Sequence, residues 1–312
     1  MLSIRQLSKT YGNGIQALCD ITLDIDYGIF GLLGPNGAGK SSLMRTLATL
    51  QEANAGSVTF DGVDLLNHPD IIRRQLGYLP QDFGVYPNVT ALDLLDQLAV
   101  FKGITSRKQR RDEVLRQLNI VNLYDQRHQK LGTFSGGMLR RFGIAQALLG
   151  DPRLIIVDEP TAGLDPAERI RFQNLLADMG GDTCGAQAGQ RVLILSTHIV
   201  EDIAALCPQM AILNQGRIIR WGSPTVLIDS LNGRVWTRKI SATDTFTPAP
   251  NWTVITSRMA QGDRHLRVLS DDCPGEGFAI APPDMSDVYF TALLENPDPV
   301  GWVSDSVTQR KQ

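Results

Sequence analysis

The sequence predicts an α/β fold built on a largely parallel sheet, and three observations carry that prediction. Residues 29–33 form a short continuous apolar run that passes into a glycine-rich turn at 34–39, then into Leu43, Leu47 and Leu50 at helical spacing. Residues 154–157 and 192–195 are two more apolar runs of strand length. Helical stretches read at 88–102, 107–118 and 137–149, and strands that alternate with helices assemble parallel sheets.

The elements follow in order. LSIRQLSKTYGNG alternates apolar and polar residues and breaks at Gly12 and Gly14, and residues 17–25 resume the alternation, as the two arms of a hairpin do. The strand at 29–33, the glycine loop and the helix from Lys40 follow. After the polar helices come the buried strands at 154–157 and 192–195. Between them, GGDTCGAQAGQ at 180–190 reads as a surface loop by composition. From about residue 231 the texture changes. RVWTRKIS, WTVITSRMA and RHLRVLS read as short strands, and DVYFTALLE as a closing helix. This predicts a small α+β domain over 231–312, with an irregular tail after Pro297.

Composition narrows the function. The chain has 312 residues, 43% hydrophobic and 20% charged, which is ordinary globular usage. Its formal net charge of −3 gives no basic field of the kind that coats nucleic acid. No apolar stretch approaches the roughly 18 residues of a membrane span, and MLSIRQLSKT carries no apolar signal core. Cys19, Cys184, Cys207 and Cys273 form no CxxC pair, so free thiols in a reducing cytoplasm are expected.

The strongest motif is Gly34-Pro35-Asn36-Gly37-Ala38-Gly39-Lys40-Ser41, which fits GxxxxGK[ST]. By chance the pattern arises in about one chain in a hundred of this length. Its glycines let successive N–H groups turn inward on phosphate oxygens, and the helix that follows adds its positive end. Lys40 is expected on the β- and γ-phosphates and Ser41 on Mg²⁺. In the second motif, Leu154-Ile-Ile-Val-Asp158-Glu159, the strand ends on two acids. Alone such a pair more often caps a helix. Behind a phosphate loop, Asp158 is expected to hold Mg²⁺ and Glu159 to polarise the attacking water. In the third, Ser135-Gly136-Gly137 starts a helix with Met138, Phe142, Ala145 and Leu149 on one face. Ser135 is expected to cap it, leaving a second anion-binding helix end. The phosphates already have a loop in this chain, so that end is most useful on a nucleotide held by another subunit.

Together these motifs resemble the nucleotide-binding subunit of ABC transporters, in the family's order and over roughly residues 1–225. Gly34 to Ser42 resembles Walker A, Gln81 in YLPQDFGVYPNVT the Q-loop, and Phe134 to Met138 the signature. The run from Leu154 to Glu159 resembles Walker B with its glutamate. Gly163-Leu164-Asp165 resembles the D-loop and His198 in LSTH the switch histidine, while Tyr11 sits where the family stacks an aromatic on adenine. The resemblance implies a P-loop ABC-type domain over 1–230, with a core parallel sheet, an antiparallel β subdomain and a helical subdomain at about 82–150. It implies ATP and Mg²⁺, with Gln81 on the metal or the attacking water. Ser135, Gly136 and Gly137 are implied on the ATP of the opposite subunit, Asp165 across the dimer seam and His198 on the γ-phosphate.

The signature departs from the family's common LSGGQ. FSGGM followed by Arg140 and Arg141 resembles variants of an exporter class whose ATPase and permease are separate chains, and PPDMSDVYFTALL resembles that class's C-terminal ending. The resemblance implies a transmembrane permease partner, a second nucleotide-binding subunit (identical or paralogous) and a place on the cytoplasmic face of the membrane. Residues 82–103 would meet the permease, with Val85, Tyr86, Pro87, Val89 and Leu92 as apolar candidates. Arg107, Lys108, Arg110 and Arg111 read first as a solvated helix face and second as a lipid-headgroup contact. The rival is a regulatory ATPase of the same fold acting on the ribosome or nucleic acid. Against it stand a single cassette and no coiled-coil insertion. Lys40, Asp158, Glu159 and His198 stand against a catalytically dead subunit.

Overall fold

The computed structural model describes residues 1–162, 164–180, 190–241, 252–260 and 262–296. Gly163, most of the 180–190 loop and the tail after Pro297 lie outside the described residues. Contacts divide the chain into two units, Met1–Ile218 and Ile219–Gln312.

The first unit opens with β1 (Leu2–Thr10) and β2 (Gln16–Ile25), paired antiparallel as a hairpin. Then β3 (Gly28–Leu33) enters the glycine turn and α1 (Lys40–Leu47) leaves it. The helix stops short of the expected third leucine, and Leu50 is 62% exposed. Thr49 adopts a left-handed φ of +58°, and the Leu50 N–H donates back to Arg45 O at 2.8 Å. That reversal closes the helix and turns Leu50 off the core-facing stripe.

Next come β4 (Ala55–Phe60), β5 (Val63–Asp64), α2 (Pro69–Gln75) and β6 (Leu76–Leu79), none of which the motifs announce. The helical subdomain holds α3 (Ala91–Phe101), α4 (Arg107–Ile120) and α5 (Gly136–Ala147). The expected helices are all present. The first starts at Ala91 because the Thr90 side chain accepts from Asp93 N, a cap that fixes the boundary. Then follow β7 (Leu154–Asp158), α6 (Pro166–Gly180), β8 (Val192–Thr197), α7 (Val200–Leu206), β9 (Gln209–Asn214) and β10 (Arg217–Gly222), within which the chain passes from the first unit to the second.

Two sheets form from these strands. One is antiparallel in the order β2-β1-β4-β5, and the other runs β10-β9-β3-β8-β7-β6. In the second sheet the neighbours β9, β3, β8, β7 and β6 all pair parallel. Every residue of β7 and β8 is buried, the mark of strands covered on both faces. One apolar cluster joins both sheets and α1, with Ile4, Ile21 and Val58 from the first, Ile156 and Ile194 from the second, and Leu43 and Met44 from the helix. Each such side chain contributes about 1.5–3 kcal/mol by burial, so the phosphate loop is anchored to this buried cluster.

The second unit contains α8 (Pro224–Asp229), β11 (Val235–Ser241), β12 (Thr253–Ala260), β13 (Asp263–Leu269), β14 (Ala279–Ile280) and α9 (Met285–Glu295). Its sheet, in the order β12-β13-β11-β14, is antiparallel and buries Ile240, Trp252, Leu266 and Val268. A capping box between Asp284 and Asp287 starts α9, and Arg267 Nε donates to Asp287 at 2.8 Å.

Candidate functional site

Three adjacent parallel strands set the site. In the order β3-β8-β7, their C-terminal ends carry the glycine loop, His198 and Asp158-Glu159 respectively. The crevice beyond the carboxyl ends of such strands is where open α/β sheets bind ligands.

The loop is shaped by space as much as by flexibility. A Cβ on Gly34 would lie 2.3 Å from Leu213 O, and one on Gly39 would lie 2.3 Å from Ala17 O. Gly39 also has a left-handed φ of +106°. Pro35, Asn36, Gly37 and Ala38 form the turn between them. Its closure includes Ala38 N donating to Pro35 O at 3.2 Å, and Gly216 N to Ala38 O at 2.8 Å. Ser41 and Ser42 follow in the first turn of α1, half-buried. Lys40 is 4% exposed, and its Nζ donates to Gly34 O at 2.7 Å and Pro35 O at 3.0 Å. Burial pulls the Lys40 ammonium below its ordinary value, while the Glu159 and Asp158 carboxylates pull it back up. A buried cation held by neutral carbonyls has a stronger partner in an anionic phosphate.

Glu159 is the junction of the site. Its Oε1 stands 3.6 Å from Lys40 Nζ, and its Oε2 lies 3.0 Å from His198 Nδ1. The side chain is nearly enclosed, whereas that of His198 is 43% exposed. A carboxylate oxygen accepts, so the tautomer that suits this contact carries its proton on Nδ1 and leaves Nε2 as the ring's other hydrogen-bonding atom. The Glu159 backbone is left-handed at φ +46°, with its N–H donating to Ser196 O at 2.9 Å. Such a conformation in a non-glycine residue costs on the order of 1–3 kcal/mol and persists where the surroundings hold it. Asp158, 2% exposed, accepts from the Ser196 hydroxyl.

The remaining expected residues lie on elements around this centre. Tyr11 has its hydroxyl 2.9 Å from Ser42 Oγ and donates to Gln51 Oε1 at 3.1 Å, which ties the phenol to the phosphate-loop helix. Gln81 is exposed, and its backbone carbonyl accepts from Arg140 Nη1 at 2.5 Å. Ser135 and Gly136 are exposed and Gly137 half-buried at the start of α5, and the Ser135 hydroxyl accepts from Met138 N at 3.2 Å, the expected cap. Asp165 is exposed, and its carboxylate accepts from Glu168 N at 2.9 Å at the head of α6. The hydrogen bonds of Ser135 and Asp165 therefore go to their own helices, while Lys40 and His198 each contact Glu159. Of the permease-facing candidates, Tyr86 and Pro87 are exposed and Val85, Val89 and Leu92 half-buried. Arg110 is engaged with Asp96 at 2.9 Å, whereas Arg107, Lys108 and Arg111 face solvent.

Ser41, Asp158 and Gln81 offer hydroxyl, carboxylate and amide oxygens, the hard donors that Mg²⁺ takes. Among the described residues no three His, Cys, Asp or Glu side chains cluster into a full cage. That donor set suits an ion shared with nucleotide phosphates, which commonly keeps one or two protein ligands. The residues fit the group.

Sequence reasoning missed Ser196, Arg140 and Gln51 as partners of the site. Ser196 carried a signal, since it ends the same apolar run as His198. The other two are partners only through the fold.

The family model described as ABC transporter matches residues 18–162. The linearmycin resistance ATP-binding protein LnrL of Bacillus subtilis is 34% identical over 236 residues, covering 75% of this chain and 72% of LnrL. YbhF of Escherichia coli, a probable multidrug ABC transporter ATP-binding protein, is 33% identical over 215 residues. That match covers 69% of this chain but 36% of the length of YbhF. Among solved structures, the dimeric cassette MJ0796 bound to ADP and Pi superposes with a TM-score of 0.63 at 27% identity, covering 72% of this chain and 98% of that one.

Proposed function

The chain belongs to the ABC transporter family, and from that premise we propose that it is the ATP-hydrolysing subunit that energises an exporter through a separate transmembrane permease. The observation that carries this reading is the Glu159 carboxylate standing between Lys40 Nζ and His198 Nδ1 at the ends of three neighbouring parallel strands. The names of relatives, which include resistance, multidrug and Nod factor export ATP-binding proteins, support export.

Two cassettes, identical or paralogous, would enclose two ATP molecules. Each nucleotide rests in one chain's Gly34–Ser42 loop and meets Ser135, Gly136 and Gly137 of the other. Tyr11 stacks on the base. Lys40 neutralises the terminal phosphates and Asp165 acts across the seam. Glu159 accepts a proton from the attacking water, and His198, bonded to that carboxylate, contacts the γ-phosphate. Ser41, Asp158 and Gln81 would hold Mg²⁺, which supplies neutralisation of phosphate charge when bound. In-line transfer asks for positioning and charge stabilisation more than covalent chemistry. Gln81 lies in the segment expected to face the permease, so closure there would pass to the membrane subunit. We assign 1–230 to the ATPase, including the helical subdomain at about 82–150, and 231–312 to an accessory domain.

No helix among the described residues is long and apolar enough to cross a membrane. Attachment to the cytoplasmic face would therefore come through the partner. The test is purification from membranes with bound partners. A co-purified polytopic chain whose presence alters MgATP hydrolysis supports the proposal; ribosomal proteins or nucleic acid in its place support the rival.

A further inference from the structure

Asp202 has no exposed surface. It sits in α7, just past the segment that carries His198. Its Oδ2 accepts from the Thr161 hydroxyl, and its Oδ1 accepts from Arg169 Nε at 2.8 Å and from Gln173 Nε2 at 2.6 Å. Arg169 Nη2 stands 2.8 Å from the same oxygen. The donors come from two other places. Thr161, 2% exposed, lies in the turn that leaves Glu159, and Arg169 and Gln173 lie on α6, the helix that Asp165 begins. One carboxylate thus ties together the three segments that bear Glu159, Asp165 and His198.

A buried carboxylate is costly to desolvate, and a well-packed apolar substitute is often as stable or more so. Stability alone therefore does not account for placing an acid here. A satisfied buried network is rigid, and it fixes the registry of the segments it joins. The Glu159 turn needs such a hold. Its left-handed backbone is secured on the strand side by Ser196 O, and beyond it the turn runs through Ala162 N to Glu159 O at 3.4 Å and Leu164 N to Thr161 O at 3.3 Å. The Thr161 side chain supplies the attachment on the far side.

We infer that Asp202 is a positioning residue, which through the Thr161 hydroxyl holds Glu159 in register with His198 for hydrolysis. The inference rests on the ATPase reading above. Asp202 touches no reacting atom in this account; it sets the geometry of the groups that do.

The test uses the purified full chain, with MgATP turnover measured against concentration and nucleotide affinity measured with a fluorescent ATP analogue. Thr161→Val keeps the volume and removes the hydroxyl, and Thr161→Ser keeps the hydroxyl and removes a methyl. The expected result is a kcat for Thr161→Val lowered on the order of ten- to a hundredfold, since small misplacements of catalytic groups have effects of that size. KM stays within about twofold, because the phosphate loop is untouched. Thr161→Ser recovers most of the rate. Adding Thr161→Val to Asp202→Ala, which removes the acceptor altogether, costs nothing further, because both cut the same strut. A parental kcat in Thr161→Val overturns the assignment, and so does a Thr161→Ser chain as slow as Thr161→Val, which would make the methyl's packing responsible. A parent chain that hydrolyses no ATP either alone or with its co-purified partners overturns the functional reading and this assignment together, whereas an active parent with an equally active Thr161→Val overturns the assignment alone.

Discussion

Glu159 and His198 meet at 3.0 Å although they follow different strands, β7 and β8. The pairing follows from the parallel register in which Asp158 lies beside Ser196, which brings the next residues of both strands to the same edge. The exposed ring of His198 is thereby tethered to an enclosed acid.

Glu159→Gln should keep ATP binding while lowering turnover by at least about a hundredfold, because the amide oxygen is a far weaker proton acceptor. Slow hydrolysis should let an ATP-dependent dimer accumulate, seen by light scattering with and without ATP. Parental turnover would remove Glu159 from the mechanism.

Ser135→Arg places bulk and positive charge at the exposed start of α5, and it should stop hydrolysis while ATP still binds. Mixed with Lys40→Ala, it should regain activity. In the heterodimer one site combines the intact Lys40 of one chain with the intact Ser135 of the other. Random pairing in a twofold dimer predicts roughly a quarter of parental activity. If two inactive chains stay inactive together under conditions where they dimerise, the shared-site arrangement is wrong.

Gly39→Ala should destabilise the chain by about 1–3 kcal/mol from its left-handed backbone alone, before any contact with Ala17 O is counted. Urea unfolding measures the loss, and equilibrium dialysis should show nucleotide affinity falling with it. A variant as stable as the parent would mean that the loop relaxes freely.

Asp61 supplies a pH dependence. Burial raises its carboxyl, but the N-terminal ammonium, the Tyr27 hydroxyl and Arg153 outweigh burial and hold it below its ordinary value. The native state thus favours the ionised form. Its contribution is complete above the unfolded value near 3.8 and is lost as pH falls through the lower folded value. Asp61→Asn should be less stable than the parent at neutral pH, and urea midpoints should converge as pH falls below the ordinary carboxylate range. A gap that stays constant with pH would exclude the carboxylate's charge as the cause.

Much of the centre was legible before folding. The residues from Gly34 to Ser41, the Asp158-Glu159 pair and His198 each close a short apolar run, and local pattern alone marks where a strand ends and a polar turn begins. Local pattern misled at Leu50, where helical spacing continued but Thr49 reversed the chain. It gave little notice of β6 and β9, which complete the sheet around the motif-bearing strands.

Sequence alone marked the residues proposed to bear the chemistry, because loop, acid and histidine are written into short segments whose backbone form depends on neighbours along the chain. Tertiary structure alone decided how they work together. The strand order β3-β8-β7 brings Lys40, Glu159 and His198 to one edge, and a single buried carboxylate at Asp202 gathers Thr161, Arg169 and Gln173 from separate elements. The reason is physical: hydrogen bonds and ion pairs act over a few ångströms, and only the packed fold brings residues distant in sequence within that range.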